Sequence, residues 1–275
     1  MQTAKLPGGQ PSLDKTVFIH RYRRTHNLGD AIQTIAMERL LPDWRYVWRD
    51  DGICDAGGIY LANGWLGSNR PPVDNPNTLF AGVFVANNDA NYDWMKVSRF
   101  FEIGARDPAT VMRCAERGIR TILLGCATST FDPYLGPRNG IYAIDASYPT
   151  ATHLTHCIGD LSWNEQRELA LTMLGVYQTA ELVVTSRLHA ALPCLAFGTP
   201  VMVKDPIGLR NVQSLHRFSI LDAMGLEYEK PQILDISIWR ERFLSFLVRN
   251  LGMNLNVKRT IAELSRRSPP LDKRE

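Results

Sequence analysis

The sequence predicts an α/β protein made of two half-sized units, and three observations carry that prediction. Short runs of β-branched and aromatic residues alternate with stretches of helical periodicity. Between residues 131 and 149 the pattern is interrupted by Pro, Gly and Asn, and a second α/β run then begins. Of the 275 residues, 45% are hydrophobic and 21% charged. That is apolar mass for one core or two small ones, and it excludes a disordered or collagen-like chain.

Taken in order, residues 1–14 read as a polar leader, and Thr16 to His20 as a buried strand. Asn27-Leu28-Gly29-Asp30 opens a helix with Asp30 as the expected N-cap. In that helix Ile32, Ile35, Ala36 and Leu40 share one face, and Pro42 stops it. Strands are expected at 44–49, 79–86, 101–105 and 121–126, with a helix over 108–117 closed by Gly118. The boundary stretch holds one strand, 141–144. Beyond it come a helix over 163–177, a strand over 182–186, a helix over 187–197 and a strand over 201–203. Units are expected at 15–135 and 136–225, followed by C-terminal helices and a basic tail at 226–275. Ile236, Trp239, Phe243, Phe246 and Leu247 recur at helical spacing among Arg240, Glu241, Arg242 and Arg249. This reads as a core-packing helix, though its cationic flanks would also suit an anionic lipid surface.

The longest apolar stretch, 190–203, is broken by Pro193, Gly198, Thr199 and Pro200. Nothing therefore meets the roughly 18 continuous apolar residues of a membrane span. The first twenty residues lack the order of a secretory signal, so the expected location is cytoplasmic. Five cysteines form neither an even set nor a C-x-x-C pair, which argues against a disulfide framework or a zinc ribbon. The net charge of +3 is too slight to argue for nucleic acid. It is uneven, however: residues 239–275 hold nine Lys or Arg against four Asp or Glu, +5, which leaves −2 for the rest.

Chemistry concentrates where strands meet helices. In Leu182 to Val203 a strand runs through Thr185-Ser186-Arg187 into a helix carrying His189. The carboxyl end of a strand is where α/β proteins bind ligands, and helix N-termini there attract anions. Arg187 can offer a bidentate fork to carboxylate or phosphate, and His189 can exchange a proton near neutral pH. Equally, Arg187 can pair with a carboxylate across an interface and His189 can be a satisfied core residue. Asn27 and Asp30 can orient a sugar hydroxyl or simply cap their helix, while Gly29 permits a close approach. Arg106, at a strand end before Pro108, is a second anion donor or else a surface side chain beside an N-cap, Asp107. Trp65, in the Gly-rich stretch with Asp55, Gly57, Gly58, Asn63 and Gly64, can stack on a glycan or anchor a loop. His153 and His156, three apart, would face opposite sides of a strand, so no metal site is expected. A P-loop, H-E-x-x-H, G-x-S-x-G and G-x-G-x-x-G are all absent from the sequence.

These pieces together resemble the polysaccharide pyruvyl transferase family. The resemblance rests on Asn27-Leu28-Gly29-Asp30-Ala31-Ile32-Gln33, on Gly57-Gly58 with Asn63-Gly64-Trp65, and on Ala105-Arg106-Asp107 ahead of a helix. Its most specific part is Val184-Thr185-Ser186-Arg187-Leu188-His189 running into Phe197-Gly198-Thr199-Pro200-Val201. The family's usual Arg-Glu pair is Arg106-Asp107 here. The resemblance implies two Rossmann-like domains with a cleft between them, like the B-type glycosyltransferases. It also implies transfer of the enolpyruvyl unit of phosphoenolpyruvate to a sugar, forming a pyruvate ketal and releasing phosphate. On that reading Arg187 and Arg106 clamp the donor, His189 is the acid, and Asp30 orients or deprotonates the sugar hydroxyl. Asn27, Gly29, Ser186 and Trp65 complete the binding surface. Phosphoenolpyruvate is then the donor substrate, and neither cofactor nor metal is needed. The acceptor is a glycan or lipid-linked sugar, and the basic C-terminal segment can touch the inner face of the membrane. The competing readings are a glycosyltransferase of the same architecture using a nucleotide sugar, and a non-catalytic scaffold in polysaccharide assembly.

Overall fold

The computed structural model describes residues 16–23, 25–51, 57–66, 75, 77–85, 103–204, 218–256 and 261–266. The leader, Asp55 and the tail from Ser268 lie outside the described residues.

The α/β reading holds, and both sheets are parallel. The first contains β1 (Val17–Arg21), β2 (Arg45–Trp48), β3 (Ile59–Leu66), β4 (Thr78–Val85), β5 (Ile103–Ala105) and β6 (Thr121–Leu123) in the order β2-β1-β3-β4-β5-β6. The second contains β7 (Ile141–Ile144), β8 (Thr152–Leu154), β9 (Leu182–Thr185) and β10 (Val201–Val203) in the order β10-β9-β7-β8. The strand expected inside the boundary stretch is therefore β7, which pairs with both β8 and β9. In each sheet the chain moves one strand to one side and then continues on the other, so the order reverses beside β1 and again beside β7. Ligands of open α/β sheets bind outside the carboxyl ends of strands at such reversals.

The Gly-rich stretch read as a loop is in part a strand. β3 runs from Ile59 through Asn63-Gly64-Trp65 between β1 and β4. Glycine and asparagine are poor strand formers, but here the glycines answer to packing. A Cβ on Gly58 would lie 2.3 Å from the Thr16 carbonyl, and Gly64 takes φ +79° at a register shift against β4. Gly82 in β4, φ +78°, sits at the same irregularity and flips the alternation. Phe80 and Val83, three apart, thus join the same apolar cluster on one face of the first sheet, along with Phe18, Tyr60 and Ile103.

On the other face lies α1 (Leu28–Leu40), whose thirteen residues are all buried. The expected single apolar face is thereby corrected. α1 packs on β1, on the 3-10 turn at 127–130, and on α3 (Trp163–Thr179) and α4 (Leu188–Phe197) of the second half. Its polar members Asp30, Thr34, Glu38 and Arg39 are buried with partners. Arg167 of α3 donates to both oxygens of Glu38 at 2.8 and 3.2 Å, and Arg39 reaches Asp132 at 3.1 Å. Breaking one side of the buried Arg167–Glu38 pair leaves an uncompensated charge, costing about 3–5 kcal/mol. The helix ends as expected, because Leu41 is extended ahead of Pro42.

α2 (Pro108–Ala115) has Asp107 as its N-cap, and Gly118 turns out of it at φ +67°. The C-terminal amphipathic stretch forms α6 (Ser237–Leu251), after a short α5 (Ser219–Ala223) and before α7 (Ile261–Arg266). Trp239, Phe243 and Phe246 of α6 are buried over Gly125, Gly82 and Gly104, where a Cβ would lie 3.0–3.3 Å from their rings. Its apolar face is thus inside the protein rather than presented to a lipid surface. Among the described residues no helix is long and apolar enough to cross a membrane.

Candidate active site

The loop leaving β1 and the loop leaving β8 are stitched together. Leu28 N donates to the His156 carbonyl at 2.9 Å, Ile158 N donates to the His26 carbonyl at 3.1 Å, and Asn27 and Cys157 form an isolated antiparallel bridge. Beside this seam opens a cavity of about 330 Å³, within the small-molecule range of roughly 300–1,000 Å³. It lies at the carboxyl ends of β1, β3, β5 and β9, adjoining the reversals of both sheets.

From the β1 side come Thr25, Asn27, Asp30 and Gln33. Asp30 is not the N-cap. That role falls to Asn27, whose side chain accepts from Gly29 N at 3.1 Å. Asp30 sits in the first turn, 5% exposed, and its Oδ2 accepts from the Thr25 hydroxyl at 2.7 Å. Gly29 lies directly against the second half: a Cβ there would fall 2.8 Å from Nδ1 and 3.1 Å from Cβ of His189.

Trp65, near the end of β3, lines the cavity with its ring 4.9 Å from that of Phe84. Arg106, at the end of β5, shares this wall. It is 3% exposed, which removes the surface alternative. Its guanidinium stands 4.6 Å over Phe84, and its Nε donates to Asp107 Oδ2 at 3.1 Å. Asp107 also accepts from Thr110 N at 2.9 Å, so one carboxylate both caps α2 and aims Arg106. Burial pushes the Asp107 carboxyl upward, against the pull of Arg106 and of the Thr110 bonds.

The β9 side supplies Arg187 and His189. Arg187 is the N-cap residue of α4; its amide donates to Thr185 Oγ1 at 2.9 Å and its Nε to Asp145 Oδ2 at 2.7 Å. Asp145 follows β7 with φ +50°, and the sequence reading missed it. It also accepts from the Thr155 hydroxyl at 2.5 Å and from His156 N at 2.9 Å. Burial works against its charge, but these bonds and Arg187 hold its carboxyl below the ordinary carboxylate range. Arg187 Nη2 is 2.9 Å from the exposed Cys157 sulfur.

Six of the eight residues singled out from the sequence, Asn27, Asp30, Trp65, Arg106, Arg187 and His189, line this cavity. Gly29 backs His189, whereas Ser186 turns away and donates to the Asp145 carbonyl at 2.7 Å, tying β9 to β7. Gln33 and His156 also line it without having been expected there. His153 is exposed on β8 while His156 is buried beyond the strand's end, and among the described residues no three potential ligands gather for a metal.

The arrangement offers two guanidinium groups, a carboxylate and an imidazole around a space for a small anionic molecule. A protein of Klebsiella pneumoniae subsp. pneumoniae described as uncharacterized has a similar solved structure. The two are 11% identical with a TM-score of 0.49, over 74% of this chain and 87% of that one. No curated protein matches the sequence. The model of the polysaccharide pyruvyl transferase family matches residues 81–206, a stretch that includes Arg106, Asp145, Arg187 and His189.

Proposed function

We propose that the protein transfers the enolpyruvyl group of phosphoenolpyruvate to a sugar of a polysaccharide or its precursor, forming a pyruvate ketal and releasing phosphate. The observation that carries this reading is the convergence of Arg106, Arg187, Asp30 and His189 on one cavity. A donor with both carboxylate and phosphate needs two anion clamps, and Arg106 and Arg187, which both line the cavity, are assigned that task. His189 delivers a proton to the methylene carbon, turning it into a methyl group and leaving an oxocarbenium-like centre at C2. A sugar hydroxyl adds to C2 and gives up its proton to a base, the role assigned here to Asp30. The C2–O bond to phosphate then breaks, phosphate departs with its electron pair, and a second hydroxyl of the same sugar closes the ketal as its proton is lost. Asn27 and Trp65 are assigned to the acceptor, and the scheme requires neither metal nor cofactor.

In this reading the two sheets are the cores of two Rossmann-like units, 15–135 and 136–225, arranged as in B-type glycosyltransferases. The phosphorylated donor places the reaction in the cytoplasm. With the apolar face of α6 buried, contact with a membrane would fall to the basic side chains of the C-terminal segment. The reading is tested by phosphate release. Release from phosphoenolpyruvate that depends on an added glycoside supports it. Turnover of nucleotide sugars instead favours a glycosyltransferase, and no turnover of either favours a scaffold.

A further inference from the structure

His156 is built into the cavity wall more firmly than its place in a loop suggests. It is 1% exposed. Its amide donates to Asp145 and its carbonyl accepts from Leu28 N, so the backbone is held from both halves. The ring is held as well: Nε2 meets the hydroxyl of Tyr177, a fully buried residue of α3. Nδ1 has no hydrogen-bond partner among the described residues. A buried polar nitrogen without a partner is uncommon, and this one belongs to a residue that lines the cavity.

Proton counting fixes which nitrogen carries the hydrogen. Burial raises the Tyr177 phenol well above its ordinary range, so it keeps its proton, and His156 Nε2 is its hydrogen-bond partner among the described residues. If the phenol donates to Nε2, the imidazole hydrogen sits on Nδ1 and one group is left to satisfy. If Nε2 carried the hydrogen, both the phenol proton and the Nδ1 lone pair would be stranded. The first arrangement is the cheaper one. Burial also brings the His156 imidazole down to about 4, with Asp145 opposing and Arg187 assisting that fall, so the ring is neutral at pH 7. Its neighbourhood is tied to a guanidinium that lines the cavity: Asp145 Oδ2 accepts from both His156 N and Arg187 Nε, and Arg187 also reaches the sulfur of the next residue, Cys157.

We propose that His156 is a further binding residue of this site, donating a neutral Nδ1–H hydrogen bond to a carboxylate or phosphate oxygen of the molecule held by Arg187. Tyr177 is its positioning residue. The inference rests on the reading of the cavity as an anion site. A neutral donor suits a place beside a guanidinium, since it adds a directed bond without a second positive charge.

The test is calorimetric titration of the full chain with phosphoenolpyruvate, inorganic phosphate, pyruvate and uridine diphosphate, for wild type and three variants. His156→Gln keeps a group for Tyr177 at the Nε2 position and loses the Nδ1 donor. It should weaken binding of the oxyanion that His156 contacts by roughly ten- to a hundredfold, the worth of a hydrogen bond to a charged group. The phosphate and pyruvate arms tell which end of the donor that is. His156→Asn retains a donor near Nδ1 and should stay within a few-fold of wild type. In wild type, the imidazole ¹⁵N spectrum should show the proton on Nδ1 and a shift of that proton on ligand addition. Tyr177→Phe should give a mixture of tautomers and intermediate affinity. Equal affinity of wild type and His156→Gln for every probe that binds, or a proton resident on Nε2, overturns the inference; a trapped water then satisfies the ring. If uridine diphosphate binds in place of phosphoenolpyruvate and His156→Gln weakens it, the transferase reading falls while His156 keeps its role. If no probe binds wild type, both fall.

Discussion

Arg187 and Asp145 lie 42 positions apart in sequence, yet the Nε of one donates to Oδ2 of the other at 2.7 Å, joining the ends of β9 and β7. The carboxylate fixes one edge of the guanidinium, so the remaining donors are held in place before any ligand arrives. Asp145→Asn preserves size and tolerates φ +50°, because Asn enters the left-handed region readily. It removes the charge that orients Arg187. Steady-state kinetics should show kcat/KM for phosphoenolpyruvate falling by about ten- to a hundredfold, the worth of a charge-assisted hydrogen bond. An unchanged value would mean that Arg187 needs no such support.

Gly29 makes a sharper separation of stability from turnover. Alanine is favoured over glycine within a helix by about 1 kcal/mol, so Gly29→Ala should remain folded. Its methyl would lie 2.8 Å from His189 Nδ1, and the imidazole must move to make room. Turnover should fall on the order of tenfold or more while thermal unfolding shifts little. Full activity in that variant would show that the position of His189 is not critical.

How much of this was legible beforehand differs from element to element. The β9-turn-α4 unit was readable because Leu182 is followed by the β-branched run Val183 to Thr185 and Gly198 closes the helix in the left-handed conformation. Asp145 was not readable, since its partner is far along the chain and comes near only when β7 pairs with β9. β3 was obscured by Asn63 and Gly64, residues that strands usually avoid and that this one accepts at its irregular pairing with β4. α1 was misjudged for a tertiary reason. Local periodicity cannot reveal that Arg167 arrives from another helix to cover Glu38.

On the proposed mechanism, the roles of Arg187 as clamp and His189 as acid should separate on mutation. Arg187→Lys keeps a positive charge but loses the planar fork, so phosphoenolpyruvate should bind about 1.5–3 kcal/mol more weakly. His189→Gln retains hydrogen-bonding capacity without proton delivery, so kcat should drop on the order of 10²–10⁴-fold with a smaller effect on donor binding. Calorimetry and rapid kinetics on the two variants check the split. Near-wild-type kcat in a folded His189→Gln would place the acid elsewhere.

Burial of His156 has a consequence for stability. Its folded value of about 4 lies below the 6.5 of a free imidazole, so between these values the unfolded chain binds a proton that the folded chain refuses. Stability is therefore lost as pH falls through that window, by up to about 3 kcal/mol from this residue. Urea unfolding from pH 7 to pH 4 should show the stability difference between wild type and His156→Gln shrinking by that order. A constant difference would mean that His156 is not buried as a neutral ring.

The reaction itself is read most directly by mass spectrometry of the acceptor. Wild-type protein incubated with phosphoenolpyruvate and a panel of nitrophenyl and lipid-linked glycosides should yield a glycoside heavier by one pyruvate less one water. One phosphate should be released per ketal, and His189→Gln should form far less product. Phosphate release without gain of mass on any sugar, or gain of a hexose from a nucleotide sugar in its place, would contradict pyruvyl ketal formation at this site.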